Sequence, residues 1–83
     1  MRFKLLFSEE ALSQLKKLDN SAAKRILDKL DAACGNPARF FERLVGRDEF
    51  KMRIGDYRVI ARILHGDGAI FIQSLGHRKN IYK

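Results

Sequence analysis

The 83-residue sequence predicts an α+β fold of order β-α-α-β-β-β: a mostly antiparallel four-stranded sheet with a helical hairpin packed on one face. Three observations carry this reading. Apolar Phe50, Met52 and Ile54 alternate with Lys51 and Arg53 as far as Gly55-Asp56, and Tyr57-Arg58-Val59-Ile60 leads away again, so that two strands flank a tight turn. Between Ser8 and Cys34 the apolar residues recur instead at helical spacing. A nearly continuous apolar run, Ala69-Ile70-Phe71-Ile72-Gln73-Ser74-Leu75, then follows a glycine-rich turn and reads as a central strand.

The elements follow in order. Phe3-Lys4-Leu5-Leu6-Phe7 reads as a short strand buried on most of its surface. Ser8 is placed as a helix N-cap, with Glu9 and Glu10 against the positive end of the helix dipole. Ala11, Leu12, Leu15 and Leu18 form the apolar stripe of that helix, and Asp19-Asn20-Ser21 ends it and caps the next. The second helix carries Ala23, Ile26, Leu27, Leu30, Ala33 and Cys34 on one stripe. Gly35-Asn36-Pro37 stops it, since glycine suits a left-handed cap and proline cannot continue a helix. Residues 38–47 carry weaker signals: Phe40, Phe41 and Leu44 suit a helical turn or a packed loop, and Gly46 leads into the central hairpin. After Tyr57-Arg58-Val59-Ile60-Ala61-Arg62-Ile63-Leu64, the segment His65-Gly66-Asp67-Gly68 makes the last turn.

The hairpin has a consequence for function. Glycine first in a two-residue loop is what a type II′ turn requires, and a turn there pairs Ile54 with Tyr57, Arg53 with Arg58 and Met52 with Val59. Strand residues two apart point the same way, so Lys51 joins Arg53 and Arg58 on one side, and no acid within the two strands shares it. Like charges directly opposite are destabilising, where a favourable pair contributes roughly 0.2–1 kcal/mol. A fold has no need of such a pair unless the arginines splay apart into solvent; a phosphate-gripping site does, because guanidinium groups bind phosphate oxygens in a planar fork.

Composition narrows the partners. The net charge is +7, of which residues 1–50 contribute +2 and residues 51–83 contribute +5. An excess concentrated in one part points to a polyanion, and strands rather than a basic amphipathic helix argue against a membrane surface. The length fits one domain spanning residues 1–83, and the 46% hydrophobic content excludes a disordered chain. A single cysteine, Cys34, forms no internal disulfide and suits a reducing cytoplasm; no run approaches a membrane span or a signal-peptide core. Cys34 sits on the core stripe and reads as a packing residue. His65 and Asp67 have no companion ligands for a metal, and Gly66-Asp67-Gly68 matches no phosphate loop, so no cofactor is expected. The tail places His77, Arg78, Lys79 and Tyr82 beyond the last strand, where a tyrosine could stack on a base.

Lys51-Met52-Arg53-Ile54-Gly55-Asp56-Tyr57-Arg58 followed by Leu75-Gly76-His77-Arg78-Lys79-Asn80-Ile81-Tyr82 closely resembles the RelE/ParE toxin superfamily, on its RelE side. The strand–helix–helix opening and the Asn36-Pro37 break extend the resemblance over the chain. It implies a cytoplasmic toxin of a type II toxin–antitoxin pair that enters the ribosomal A site and cuts mRNA without a metal, through attack of the 2′-hydroxyl on the adjacent phosphate. By position, Lys51 and Arg53 match the family's basic strand residues, Arg58 its phosphate-stabilising arginine, Arg78 its tail arginine at the leaving oxygen, and Tyr82 the stacking tyrosine. Arg47, His77 and Lys79 are expected to bind RNA. Lysine is the better base of the first pair, since arginine stays charged. His77 stands where RelE has lysine and, as a histidine, could take the acid role from Arg78. Many relatives also continue into a further helix, whereas this chain has one residue after Tyr82. The implied partners are a cognate RelB-like antitoxin, the ribosome and mRNA, with operator DNA reached only through the antitoxin complex and no membrane. Two alternatives stand beside this: a ParE-like inhibitor of gyrase, disfavoured by the full set of Lys51, Arg53, Arg58, Arg78 and Tyr82, and a degenerate member that only binds its antitoxin and helps repress their operon.

Overall fold

A computed structural model describes residues 2–46, 48–77 and 79. The elements are β1 (Lys4–Phe7), α1 (Glu9–Lys16), α2 (Asn20–Ala33), α3 (Pro37–Phe40), β2 (Glu42–Arg43), β3 (Phe50–Ile54), β4 (Tyr57–Leu64) and β5 (Ala69–His77). The fold is α+β as expected, but the sheet has five strands in the order β1-β5-β4-β3-β2. The additional strand, β2, is two residues long and pairs antiparallel with the start of β3, matching Glu42 with Lys51 and Arg43 with Phe50. So short a strand has no period to read.

Both helix starts form as their sequences dictate. Ser8 Oγ accepts from the Ala11 N–H at 2.9 Å, and Asp19 Oδ1 accepts from the Ala22 N–H at 2.7 Å. Each cap satisfies a backbone donor that has no intrahelical partner. The end of α2 differs from expectation. Gly35 does not adopt a left-handed conformation; its N–H bonds the Ala32 carbonyl at 3.2 Å, and that of Asn36 bonds Ala33 at 3.1 Å. Successive tight turns thus satisfy the last carbonyls. Pro37 then opens α3, where the missing N–H costs nothing.

The core lies between the helices and one face of the sheet. Ile26 and Leu30 of α2 are fully buried with Val59, Ile70, Ile72 and Leu75 of the strands. Phe41 is buried there and Phe40 packs against its margin, while Cys34 is buried as its place on the stripe implied. Desolvation pushes the Cys34 thiol up, the Arg2 charge draws it back in part, and Asp31 adds to the rise, so the sulfur stays protonated at neutral pH. Leu12 and Leu27, though on the helical stripes, remain about two-fifths exposed, at 42% and 39%.

β5 holds the sheet together. It is flanked on one side by β4, antiparallel, and on the other by β1, parallel, with Phe7 opposite Ile72. Beyond Phe7 the chain turns into α1, and side chains from that helix region finish the edge. Ser8 Oγ donates to the Gln73 carbonyl at 2.8 Å, and Gln14 Oε1 accepts from the Leu75 N–H at 2.7 Å. Gln14→Ala leaves that part-buried N–H without its acceptor and is expected to cost about 1–3 kcal/mol, read as a lower urea midpoint at unchanged m-value. A midpoint equal to wild type would show that solvent replaces the glutamine.

The pairing of β4 with β5 shifts register between Ile60 and Ala61, leaving Gln73 as the extra residue. Its side chain links strands: Gln73 accepts from Arg62 Nε at 2.8 Å and donates to Glu49 Oε2 at 3.0 Å.

Candidate functional site

The hairpin has the expected register. Ile54 pairs with Tyr57, Arg53 with Arg58 and Met52 with Val59. Gly55 takes φ +60°, the left-handed value that glycine at this turn position supplies without strain. Met52 and Val59 are buried under the helices, so alternation sends Arg53, Arg58 and Lys51 to the opposite, outer face of the sheet.

These three cations have no counter-ion among the described residues. The ion pairs among the described residues are Arg2–Asp31, Lys24–Asp28 and Arg43–Asp48, and none involves Lys51, Arg53 or Arg58. Arg58 Nε is buried with no hydrogen-bond partner among the described residues. A buried guanidinium N–H without an acceptor costs on the order of 1–3 kcal/mol.

Two further residues shape the site, and the pattern of the hairpin does not reveal them. Gly76 of β5 lies opposite Arg58, on the side away from Arg53. A Cβ at Gly76 would meet no atom of the described residues within 4 Å, so among them the glycine leaves an open space in the row of Arg58. Glycine inside an otherwise apolar strand, where it has no side chain to pack, is the sequence signal for such a gap. The other is Glu42, which β2 places opposite Lys51. It brings a carboxylate to a face where the hairpin itself has none, although no ion pair forms between the two.

The remaining site residues distribute unevenly. His77 pairs with Tyr57 and so belongs to the row of Ile54, on the helix side. Its ring meets Tyr57 edge-on, with centroids 5.7 Å apart, and its Nδ1 accepts from the Lys79 N–H at 3.2 Å. The structure therefore does not bring His77 together with Arg58. Lys79 is exposed just beyond β5. Arg47, Arg78 and Tyr82 lie outside the described residues.

Residues 5–82 match the family model for the ParE toxin of the type II toxin–antitoxin system parDE. The chain belongs to the RelE/ParE toxin superfamily. It is thus a toxin of a type II toxin–antitoxin system of the RelE/ParE type. Among relatives of this superfamily, toxin RelE1 of Methanocaldococcus jannaschii is 32% identical, over 100% of this chain and 98% of its own. Two solved structures share the fold. The RelE–RelB complex of Pyrococcus horikoshii OT3 aligns with TM-score 0.77 and 25% identity over 98% of this chain and 100% of the other. The RelBE2 toxin–antitoxin complex of Mycobacterium tuberculosis aligns with TM-score 0.84 and 22% identity over 94% and 100%. As for membranes, no helix among the described residues is long and apolar enough to cross one.

Proposed function

We propose that this RelE/ParE toxin is a ribosome-dependent, metal-independent mRNA endoribonuclease, restrained by a RelB-like antitoxin. The observation that carries the proposal is the Arg53–Arg58 pair on the outer face, with Arg58 Nε buried and unpartnered beside the gap at Gly76. In the reaction the 2′-oxygen forms a bond to phosphorus as its proton departs, the bond from phosphorus to the 5′-oxygen breaks, and that oxygen gains a proton. The products are a 2′,3′-cyclic phosphate and a 5′-hydroxyl. Negative charge grows on the phosphate during cyclisation, and cations fixed at that point stabilise the transition state more than the substrate. Arg58 takes this role. Lys51 and Arg53 hold the flanking backbone, with Lys51 the candidate to receive the 2′-proton. Arg78 and Tyr82, by resemblance, serve the leaving oxygen and the stacked base. The ribosome contributes orientation of the 2′-hydroxyl.

The antitoxin reading rests on family membership, on the relatives crystallised with RelB, and on surface chemistry. Leu6, Leu12 and Leu27 are exposed, and the net charge is +7. An acidic, amphipathic segment fits such a surface, covering apolar area and masking cations. Operator DNA would be contacted only through that complex. The ParE name of the matching family model favours a second reading, a non-enzymatic inhibitor of gyrase.

Mapping mRNA ends on programmed ribosomes with an open A site separates the readings. Cuts inside the A-site codon, lost in Arg58→Ala and Arg78→Ala, are the expected result. Intact mRNA with inhibited DNA supercoiling would establish the gyrase reading, and inactivity in both assays would leave an antitoxin-binding corepressor.

A further inference from the structure

The cationic surface does not stop at the edge of the sheet. β2 pairs with Phe50 and Lys51, so the outer edge of β3 from Met52 to Ile54 pairs with no other strand among the described residues, and residues of α2 lie beside it. Between them lies an open groove of about 590 Å³, whose walls include Arg25, Asp28 and Lys29 of α2, Phe40 of α3, and Arg53 and Gly55 of the hairpin. Arg25 and Lys29 are one helical turn apart and share a face of α2. The Arg25 guanidinium lies over the hairpin turn so closely that a Cβ at Gly55 would come within 2.6 Å of its Nη2. Lys29 Nζ stands 5.7 Å from the centre of the Phe40 ring.

The charge balance of this groove is one-sided. Its acid, Asp28, is bonded to Lys24 outside it at 3.1 Å. Arg25, Lys29 and Arg53 enter no ion pair among the described residues. Arg53 belongs both to this groove and to the outer face, so one cationic track runs from Arg58 through Arg53 to Arg25 and Lys29.

We infer that this groove binds a second stretch of RNA backbone, continuous with the strand whose phosphate sits at Arg58. The inference rests on the endoribonuclease reading and extends it to residues outside the reacting centre. Arg25 and Lys29 are positioning residues: they hold flanking phosphates and touch no reacting atom. A polyanion with regularly spaced charges fits a row of unpaired cations. An acidic peptide added as a strand fits less well, because three residues of free edge offer few backbone hydrogen bonds. Phe40 gives the groove one aromatic wall suited to a nucleobase.

The test is equilibrium binding of the full chain to two 2′-O-methyl RNAs that resist cleavage, a dinucleotide and a twelve-residue strand, over a range of salt. Arg25→Gln/Lys29→Gln is expected to weaken the long strand several-fold and to make the slope of log K against log salt shallower by about 1.4, the loss of two single-strand phosphate contacts. Dinucleotide binding should stay at the wild-type value, and thermal unfolding of the variant should match wild type. On ribosomes the variant should raise KM for cleavage and leave kcat unchanged. Unaltered affinity and slope for the long strand would overturn the groove, as would a loss confined to an acidic peptide. Failure of the endoribonuclease reading is distinguishable: wild type would then leave mRNA intact, whereas the salt slope for the long RNA would still report on Arg25 and Lys29.

Discussion

Replacing Arg58 by alanine is expected to lower A-site mRNA cleavage by about 10²–10³-fold, the usual consequence of removing one donor aimed at charge that develops in the transition state. The same substitution should leave the fold intact and stabilise it slightly. Arg58 stands opposite Arg53 in the β3–β4 register, and its Nε is buried without a partner. Removing it relieves a like-charge pair and a desolvated donor, the lost packing of the side-chain stem offsets part of that, and the net gain is up to about 1 kcal/mol. Activity and stability thus move in opposite directions, as they do where a site holds destabilising groups for the sake of its ligand. Arg58→Lys should fall between, because an ammonium keeps the charge and loses the planar fork. Single-turnover cleavage on programmed ribosomes and urea unfolding of the same preparations give both readings. A variant that is less stable yet fully active would make Arg58 a structural residue and remove the basis for the proposed chemistry.

The second large effect concerns the strand that supports the site. Ile72→Ala is expected to destabilise the protein by about 2–5 kcal/mol, the range for deleting a buried aliphatic side chain together with the cavity it leaves. Ile72 is fully buried at the centre of β5, between Phe7 on β1 and Ala61 on β4, and its carbonyl accepts the Ser8 N–H at 3.0 Å. Elements tied on three sides relax little, so the upper part of the range applies. Total stabilities are about 5–15 kcal/mol, and each kcal/mol moves Tm by about 4–8 °C in a domain of this size. Loss of the folded baseline near physiological temperature, or a Tm lower by at least about 10 °C, is the expected observation. Leu12→Ala, at a side chain 42% exposed, is the control and should change Tm by much less. Equal effects at the two positions would contradict the placement of the core.

Much of the site was legible along the chain because it is built from neighbours. Alternation over Phe50–Ile54, a glycine-first turn and the residues returning from Tyr57 specify one register, and the two strands adopt it pair for pair. The helix caps at Ser8 and Asp19 were equally legible, since each acts on a backbone donor three residues on. Gly35 was not: glycine permits the left-handed cap without requiring it, and here tight turns lead straight into α3. His77 is expected to join the basic face with the rest of the tail, whereas strand alternation gives it to the side of Ile54 and Tyr57.

By itself, then, the sequence determined which residues alternate, where the chain reverses, and that Lys51, Arg53 and Arg58 share a face. Those are consequences of backbone period and turn stereochemistry, which act over a few residues. Tertiary structure alone decided that β1 runs parallel beside β5, that Gln14 completes an edge sixty-one residues away, that Gly76 opens a space beside Arg58, and that Glu42 faces Lys51. Such pairings arise when distant segments meet to bury apolar surface and satisfy each other's backbone groups, and no local period encodes which partner will be there.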